Sequence, residues 1–171
     1  PRGKGPGVEI QDDVTPIEIG RAKVVREGND LMIIAIGQSV YEAMAAANVL
    51  AQKNIFAMVI NARFVKPLDT ELFLEKAAQI KKIITVEEHM LAGGFGSAVL
   101  EMYADNGMTD IEFKRIGIDD KFVEHGPQDL LKKEYGVDSS AIVSAGLALA
   151  GPDLTRSDLT GIGADGIQKN A

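Results

Sequence analysis

Apolar and polar positions alternate along this chain in two different rhythms. Continuous apolar runs occur at Leu31–Ile36, Ile55–Ile60 and, nearly so, at Lys82–Val86. Such runs suit strands buried on both faces. Longer stretches between them carry apolar residues at helical spacing. Val40, Ala43, Met44, Ala47, Leu50 and Ala51 repeat in this way behind Ser39, which predicts a helix capped by Ser39. Pro67, followed by Asp69 or Thr70, predicts a second helix start, with Glu71 in the first turn and Leu72, Phe73, Ala77 and Ile80 facing inward. A third helix is expected through Ala98, Val99, Met102 and Tyr103. Glu112–Ile118 reads as a further parallel strand, with two short helices around Gln128–Tyr135 and Ser139–Ala150.

Ahead of the first apolar run, Arg21–Arg26 predicts a strand with Ala22, Val24 and Val25 as its apolar part. Glu27-Gly28-Asn29-Asp30 has turn chemistry, because Gly and Asn tolerate positive φ. A hairpin between this strand and Leu31–Ile36 is therefore expected, with one strand antiparallel. Strands alternating with helices imply βαβ crossovers. The expected fold is α/β: a three-layer sandwich around a mostly parallel sheet of about five strands. Residues 1–19 read as a linker, 20–150 as one domain and 151–171 as a tail rich in Gly, Asp, Thr and Ser.

The 171 residues suit one such domain. Eighteen basic against 25 acidic residues give a net charge of -7, which disfavours nonspecific nucleic-acid binding. No apolar run approaches the ~20 residues of a membrane span, and no signal peptide is apparent. The absence of Cys removes disulfides, thiolate metal sites and thiol nucleophiles, and fits the cytoplasm. The chain begins at Pro1 without Met and is read as a piece of a longer polypeptide.

Ligands of open parallel sheets sit beyond the carboxyl ends of the strands. Three loops fall there: Gly37-Gln38-Ser39, Asn61–Pro67, and Glu87–His89 running on to Ser97. Arg63 directly follows a buried strand, where a guanidinium can grip a phosphate or carboxylate through two parallel hydrogen bonds. The alternative is a structural ion pair with an acid such as Glu87. Glu87 and Glu88 are strand neighbours and point to opposite faces, so one solvated and one hydrogen-bonded carboxylate is expected, not a catalytic pair. Gly93-Gly94-Phe95-Gly96-Ser97 resembles a phosphate cradle, but Val99 stands where a dinucleotide fingerprint has its third glycine. A tight turn and helix start is the better reading. His89 and His125 lack metal-ligand spacing, and a buried, hydrogen-bonded role is expected for His125. No catalytic or metal-ligating residue is assigned.

Five motifs then occur in order: Pro1-Arg2-Gly3, Asn61-Ala62-Arg63-Phe64-Val65-Lys66-Pro67-Leu68-Asp69, Thr85-Val86-Glu87-Glu88, Gly93–Ser97 and Phe122-Val123-Glu124-His125-Gly126. Together they resemble the C-terminal part of the 1-deoxy-D-xylulose-5-phosphate synthase family, related to transketolase and to the pyruvate dehydrogenase β subunit. The resemblance implies a transketolase C-terminal-type domain, the third of three. It implies a homodimeric, cytoplasmic transferase that joins pyruvate to glyceraldehyde 3-phosphate with loss of carbon dioxide, feeding isoprenoid and thiamine synthesis. Thiamine diphosphate and Mg2+ would lie between the two preceding domains, with none bound to this piece, which alone would be inactive. Arg63 and Arg2 would contact the substrate phosphate. The alternatives are the matching domain of a transketolase or 2-oxoacid dehydrogenase β subunit, a noncatalytic association domain, and a dinucleotide-binding module built on Gly93–Ser97.

Overall fold

The computed structural model describes residues 16–154. The elements run β1 (Lys23–Arg26), β2 (Leu31–Ala35), α1 (Ser39–Ala51), β3 (Ala57–Asn61), α2 (Thr70–Gln79), β4 (Lys82–Met90), α3 (Phe95–Asp105), β5 (Glu112–Ile118), α4 (Gln128–Glu134) and α5 (Ser139–Leu154). The five strands form one sheet in the order β1-β3-β2-β4-β5, with only β1 antiparallel. This is the mixed sheet expected from the sequence.

Alternate residues of the buried strands feed two separate cores, as a period of two requires. Leu31, Ile33 and Ala35 of β2 join Val59, Ile84 and Val86 under α1 and α5, with Ala43, Leu50 and Ile142 packed on them. Met32 and Ile34 turn the other way and join Ile60 and Ile83 under α2 and α3, against Phe73, Val99 and Tyr103. Helices thus cover both faces, giving three layers.

The expected hairpin does not form. β1 pairs with β3, and β2 lies on the far side of β3 between two parallel neighbours. The turn after β1 instead crosses the amino end of β3. Asn29 and Asp30 donate their backbone N–H groups to the Phe56 carbonyl at 3.0 and 3.1 Å. The Asp30 carboxylate accepts from the Phe56 N–H at 2.6 Å. Gly28 lies so close that a Cβ there would sit 2.3 Å from the Ala57 carbonyl carbon. The physical reason is burial. Every residue of β2 is buried, so it takes an inner position, while the half-exposed β1 serves as an edge.

Two local expectations also change. Ser39 does not cap α1; Gln38 occupies the cap position without a side-chain bond, and Ser39 is buried with no partner for its hydroxyl among the described residues. β4 runs on to Met90, past the expected end at Val86, with an irregularity after Val86 before Met90 pairs with Ile118. α2 starts as expected: the Asp69 carboxylate accepts from the Leu72 N–H at 3.3 Å. Near the end of α5, Gly151 leaves helical geometry with a φ of 72°. Among the described residues no helix is long and apolar enough to cross a membrane.

Candidate functional site

The three loops singled out in the sequence meet at the carboxyl ends of the parallel strands. A cleft of about 420 Å3 opens there, lined among others by Gly37, Gln38, Val65, Glu88, His89 and Gly93. Arg63 is half-buried beside this cleft and is not part of its lining.

Arg63 stands two residues beyond the end of β3. Asn61 pairs in register with Ala35 on one side and Lys23 on the other, so the sheet holds the residue that starts the loop. The Ala62 N–H continues the ladder to the Ala35 carbonyl at 2.9 Å. The chain then turns abruptly. The Asn61 side-chain oxygen accepts from the Arg63 N–H at 3.1 Å, and the Phe64 N–H closes on the Ala62 carbonyl at 2.6 Å. Arg63 adopts a φ of 59°, in the left-handed region that side chains other than glycine seldom enter. The far end of the loop is anchored separately. The Asp69 carboxylate accepts from the Ala22 N–H at 2.9 Å and from the Arg21 guanidinium at 3.4 Å. Hydrogen bonding to Glu71, then the charges of Asp69 and Glu18, raises the Arg21 pKa above its ordinary value.

The ion pair weighed for Arg63 is not made, because Glu87 is used elsewhere. Glu87 is buried, and its two oxygens accept from the backbone N–H groups of Phe95 and Gly96 at 2.7 and 2.8 Å. Both are orphan donors of the first turn of α3. A carboxylate at the positive end of a helix is stabilised by the dipole as well as by these bonds. Among the described residues, no carboxylate pairs with the Arg63 guanidinium.

The same contacts decide the glycine run. Gly93 takes a φ of 68° and turns the chain, and Gly94 and Gly96 allow α3 to approach β4. The space a phosphate would fill is occupied by Glu87, so this run is a turn and helix start. Arg115 of β5, which the sequence reading passed over, ties the turn down by donating to the Leu91 carbonyl and the Ser97 hydroxyl at 2.9 and 2.7 Å.

Glu88 points the opposite way, as strand geometry requires. It pairs with Lys132 of α4 at 2.9 Å, and Lys132 also reaches Glu42 of α1 at 3.3 Å. Burial works against the Lys132 charge, yet the hydrogen bonds and charges of Glu88 and Glu42 outweigh it, and its pKa is raised. Lys132 is therefore the fastening of α4, a helix with no buried residue of its own. Lys132→Met leaves two carboxylates facing each other and is expected to cost about 1–2 kcal/mol, between the values of exposed and buried pairs. Thermal melting of the 171-residue chain checks this; an unchanged midpoint would refute it.

His89 and His125 are both exposed, so the buried role expected for His125 is wrong. The loop around it offers no core: Phe122 stands fully in solvent. Arg2, the other expected phosphate contact, lies outside the described residues, as does most of the expected tail. The Asn61 bond to the Arg63 backbone was not anticipated. Its signal was present as an Asn two positions before an Arg, the spacing at which an Asn side chain bonds a backbone N–H.

The transketolase C-terminal domain model matches residues 20–142. Among curated proteins, the chain is 50% identical over 149 residues to the 1-deoxy-D-xylulose-5-phosphate synthase of Halothermothrix orenii, covering 87% of this chain and 23% of that protein. It is 52% identical over 145 residues to 1-deoxy-D-xylulose-5-phosphate synthase 1 of Geobacter sulfurreducens, covering 85% and 23%. The chain therefore spans about a quarter of the length of these relatives and corresponds to their C-terminal part. Among solved structures, a split gene transketolase described as an inactive beta4 tetramer superposes with a TM-score of 0.74 at 34% identity, covering 83% of this chain and 45% of that one. A transketolase from Leishmania mexicana shares the fold, with a TM-score of 0.53 at 21% identity over 75% of this chain and 18% of its own.

Proposed function

This chain belongs to the transketolase C-terminal domain family, and on that premise we propose that it is the C-terminal domain of a 1-deoxy-D-xylulose-5-phosphate synthase. Its part in that enzyme is to bind the phosphate of glyceraldehyde 3-phosphate through Arg63, with Arg2 as a second contact. The observation that carries this reading is the Asn61–Asp69 loop. It holds a half-buried arginine at the carboxyl end of a buried strand, with no carboxylate pairing with its guanidinium among the described residues. Relatives of that name at 50–52% identity support the choice of enzyme.

The condensation of pyruvate with the aldehyde, with loss of carbon dioxide, belongs to the whole polypeptide and not to this domain alone. Thiamine diphosphate would supply the carbanion that attacks the aldehyde. The residues described here do not fit that cofactor or its Mg2+. The glycine run that could cradle a diphosphate is filled by Glu87, and among the described residues no group of three or more His, Asp and Glu could hold a metal ion. The domain instead supplies binding energy remote from the reacting carbon, and a surface for the preceding domains and for a second copy.

The test uses the full-length polypeptide that carries this chain. It is expected to form 1-deoxyxylulose 5-phosphate and carbon dioxide from pyruvate and glyceraldehyde 3-phosphate. Arg63→Ala is expected to raise KM for the phosphorylated aldehyde about 50-fold, the weight of a lost charge-assisted pair, while KM for pyruvate stays the same. An unchanged aldehyde KM would remove Arg63 from the site. A second reading, the matching domain of a transketolase, is favoured by the superposition at 34% identity. Transfer of a two-carbon ketol unit between sugar phosphates, with no release of carbon dioxide, would establish it instead.

A further inference from the structure

We propose that Asn61 is the positioning residue for the Arg63 guanidinium, an inference that rests on the phosphate-binding reading of Arg63. The argument starts from the backbone. A residue with a φ of 59° is most stable there as glycine, because a Cβ crowds the following carbonyl. This chain places a long cationic side chain at that point instead. Strained backbone of this kind persists only where the surroundings hold it, and it clusters where a side chain must be aimed.

The surroundings here are few and identifiable. Asn61 is locked in the sheet from both sides, by Lys23 and Ala35. From that fixed base its side-chain oxygen accepts the Arg63 N–H at 3.1 Å, and the Phe64 N–H returns to the Ala62 carbonyl. These two bonds define the turn. The Asp69 anchor holds only the far end of the loop, six residues beyond Arg63. Without the Asn61 acceptor, Arg63 can relax to negative φ, which swings its side chain away from its present direction.

The identity of the acceptor matters as well. Asn is neutral, so it bonds the backbone without offering a competing anion to the guanidinium. The positive charge of Arg63 is thereby kept for a ligand. A phosphate is the ligand that a planar guanidinium at a strand end is suited to take in two parallel bonds.

The test is a set of variants in the full-length enzyme, assayed with glyceraldehyde 3-phosphate and with D-glyceraldehyde, which lacks the phosphate. Asn61→Ala is expected to raise KM for the phosphorylated aldehyde about 10-fold and to leave kcat/KM for D-glyceraldehyde within about 2-fold. Asn61→Asp keeps the acceptor but adds the competing anion, and is expected to raise KM about 3–5-fold, less than Asn61→Ala. The double variant Asn61→Ala with Arg63→Ala is expected to be no worse than Arg63→Ala alone, because the two residues act as one unit. Should Asn61→Ala not fold, Asn61→Ser serves: its weaker turn bond is expected to raise KM about 3-fold, again only for the phosphorylated aldehyde. Equal losses for both aldehydes, or losses that add to those of Arg63→Ala, would overturn the positioning role. An Arg63→Ala enzyme with unaltered aldehyde KM would instead overturn the phosphate-binding reading beneath it. A silent Asn61→Ala beside a damaged Arg63→Ala would overturn this inference alone.

Discussion

Gly94→Ala is expected to lower the stability of the 171-residue chain by about 3 kcal/mol or more. A Cβ at this position would sit 2.2 Å from the Met90 carbonyl oxygen and 2.3 Å from a carboxylate oxygen of Glu87. The first of these is backbone and cannot swing aside. The second belongs to a buried side chain whose two oxygens are both in use. Relief therefore requires α3 to move off β4, which opens the core containing Phe95, Val99 and Tyr103. Overpacking usually costs about 1–3 kcal/mol, and an approach blocked by backbone stands at or above the top of that range, a large part of the ~5–15 kcal/mol that holds a domain together. Gly93→Ala is the control. It has a φ of 68° but no atom within 4 Å of the added carbon, so only the backbone penalty of about 1–2 kcal/mol applies. Circular dichroism and urea titration of both variants check the contrast. Equal midpoints for the two would show that the close approach at Gly94 is not a constraint.

The second large effect is expected at Glu87. Removing its carboxylate as Glu87→Ala leaves two buried N–H donors at the start of α3 without partners and empties the space the side chain fills. Charge-assisted bonds to backbone donors contribute about 1.5–3 kcal/mol, and the helix dipole adds to them. A loss of about 3 kcal/mol is expected for Glu87→Ala. In a chain of this size that corresponds to a fall of roughly 6–12 °C in melting temperature. Glu87→Gln is expected to lose about 2 kcal/mol. Its carbonyl oxygen can keep one bond, but its NH2 group then faces the other backbone donor. Melting of the two variants decides the matter, and a Gln variant as stable as the parent would mean that shape, not charge, holds the helix start.

The sequence was most legible where burial is complete. Leu31–Ile36 and Ile55–Ile60 read as strands buried on both faces because every position is apolar, and β2 and β3 match these runs to within two residues at each end. The helices were legible from spacing, and Asp69 from its place ahead of a helical repeat. What could not be read was which strand lies beside which. The Gly28-Asn29 turn satisfies the local rules for a hairpin, but the same residues serve equally well to cross under β3. The choice rests on bonds to Phe56, a residue far along the chain. The histidines show the same limit: an apolar neighbourhood in sequence, as around His125, does not make a neighbourhood in space.

At the site, the place of Arg63 just beyond a strand was legible, and strand alternation put Glu87 and Glu88 on opposite faces; which of them is buried was not legible, and the carboxylate expected to be solvated is instead paired with Lys132. The glycine run was legible as a turn and helix start from its missing third glycine, but the carboxylate that sits on it was not. Whether a helix start is open to an anion depends on whether a carboxylate from another strand already sits on it. Asn61 was legible only to a reader looking for a turn, since nothing in its type separates an acceptor for the backbone from an ordinary polar residue at a strand end.

The antiparallel edge has a consequence for the order in which the molecule is assembled. β1 emerges from the ribosome before β2, α1 and β3, yet among the described residues its only partner in the sheet is β3. It has nothing to pair with until the parallel unit of β2, α1 and β3 has closed. The segment leading into it also waits, because the Ala22 N–H finds its acceptor in Asp69, beyond the Arg63 loop. Pairings between distant segments bear the cost of loop closure and form slowly. Of these five strands the earliest thus waits for the third, and its arrival fastens the far end of the loop that carries the arginine.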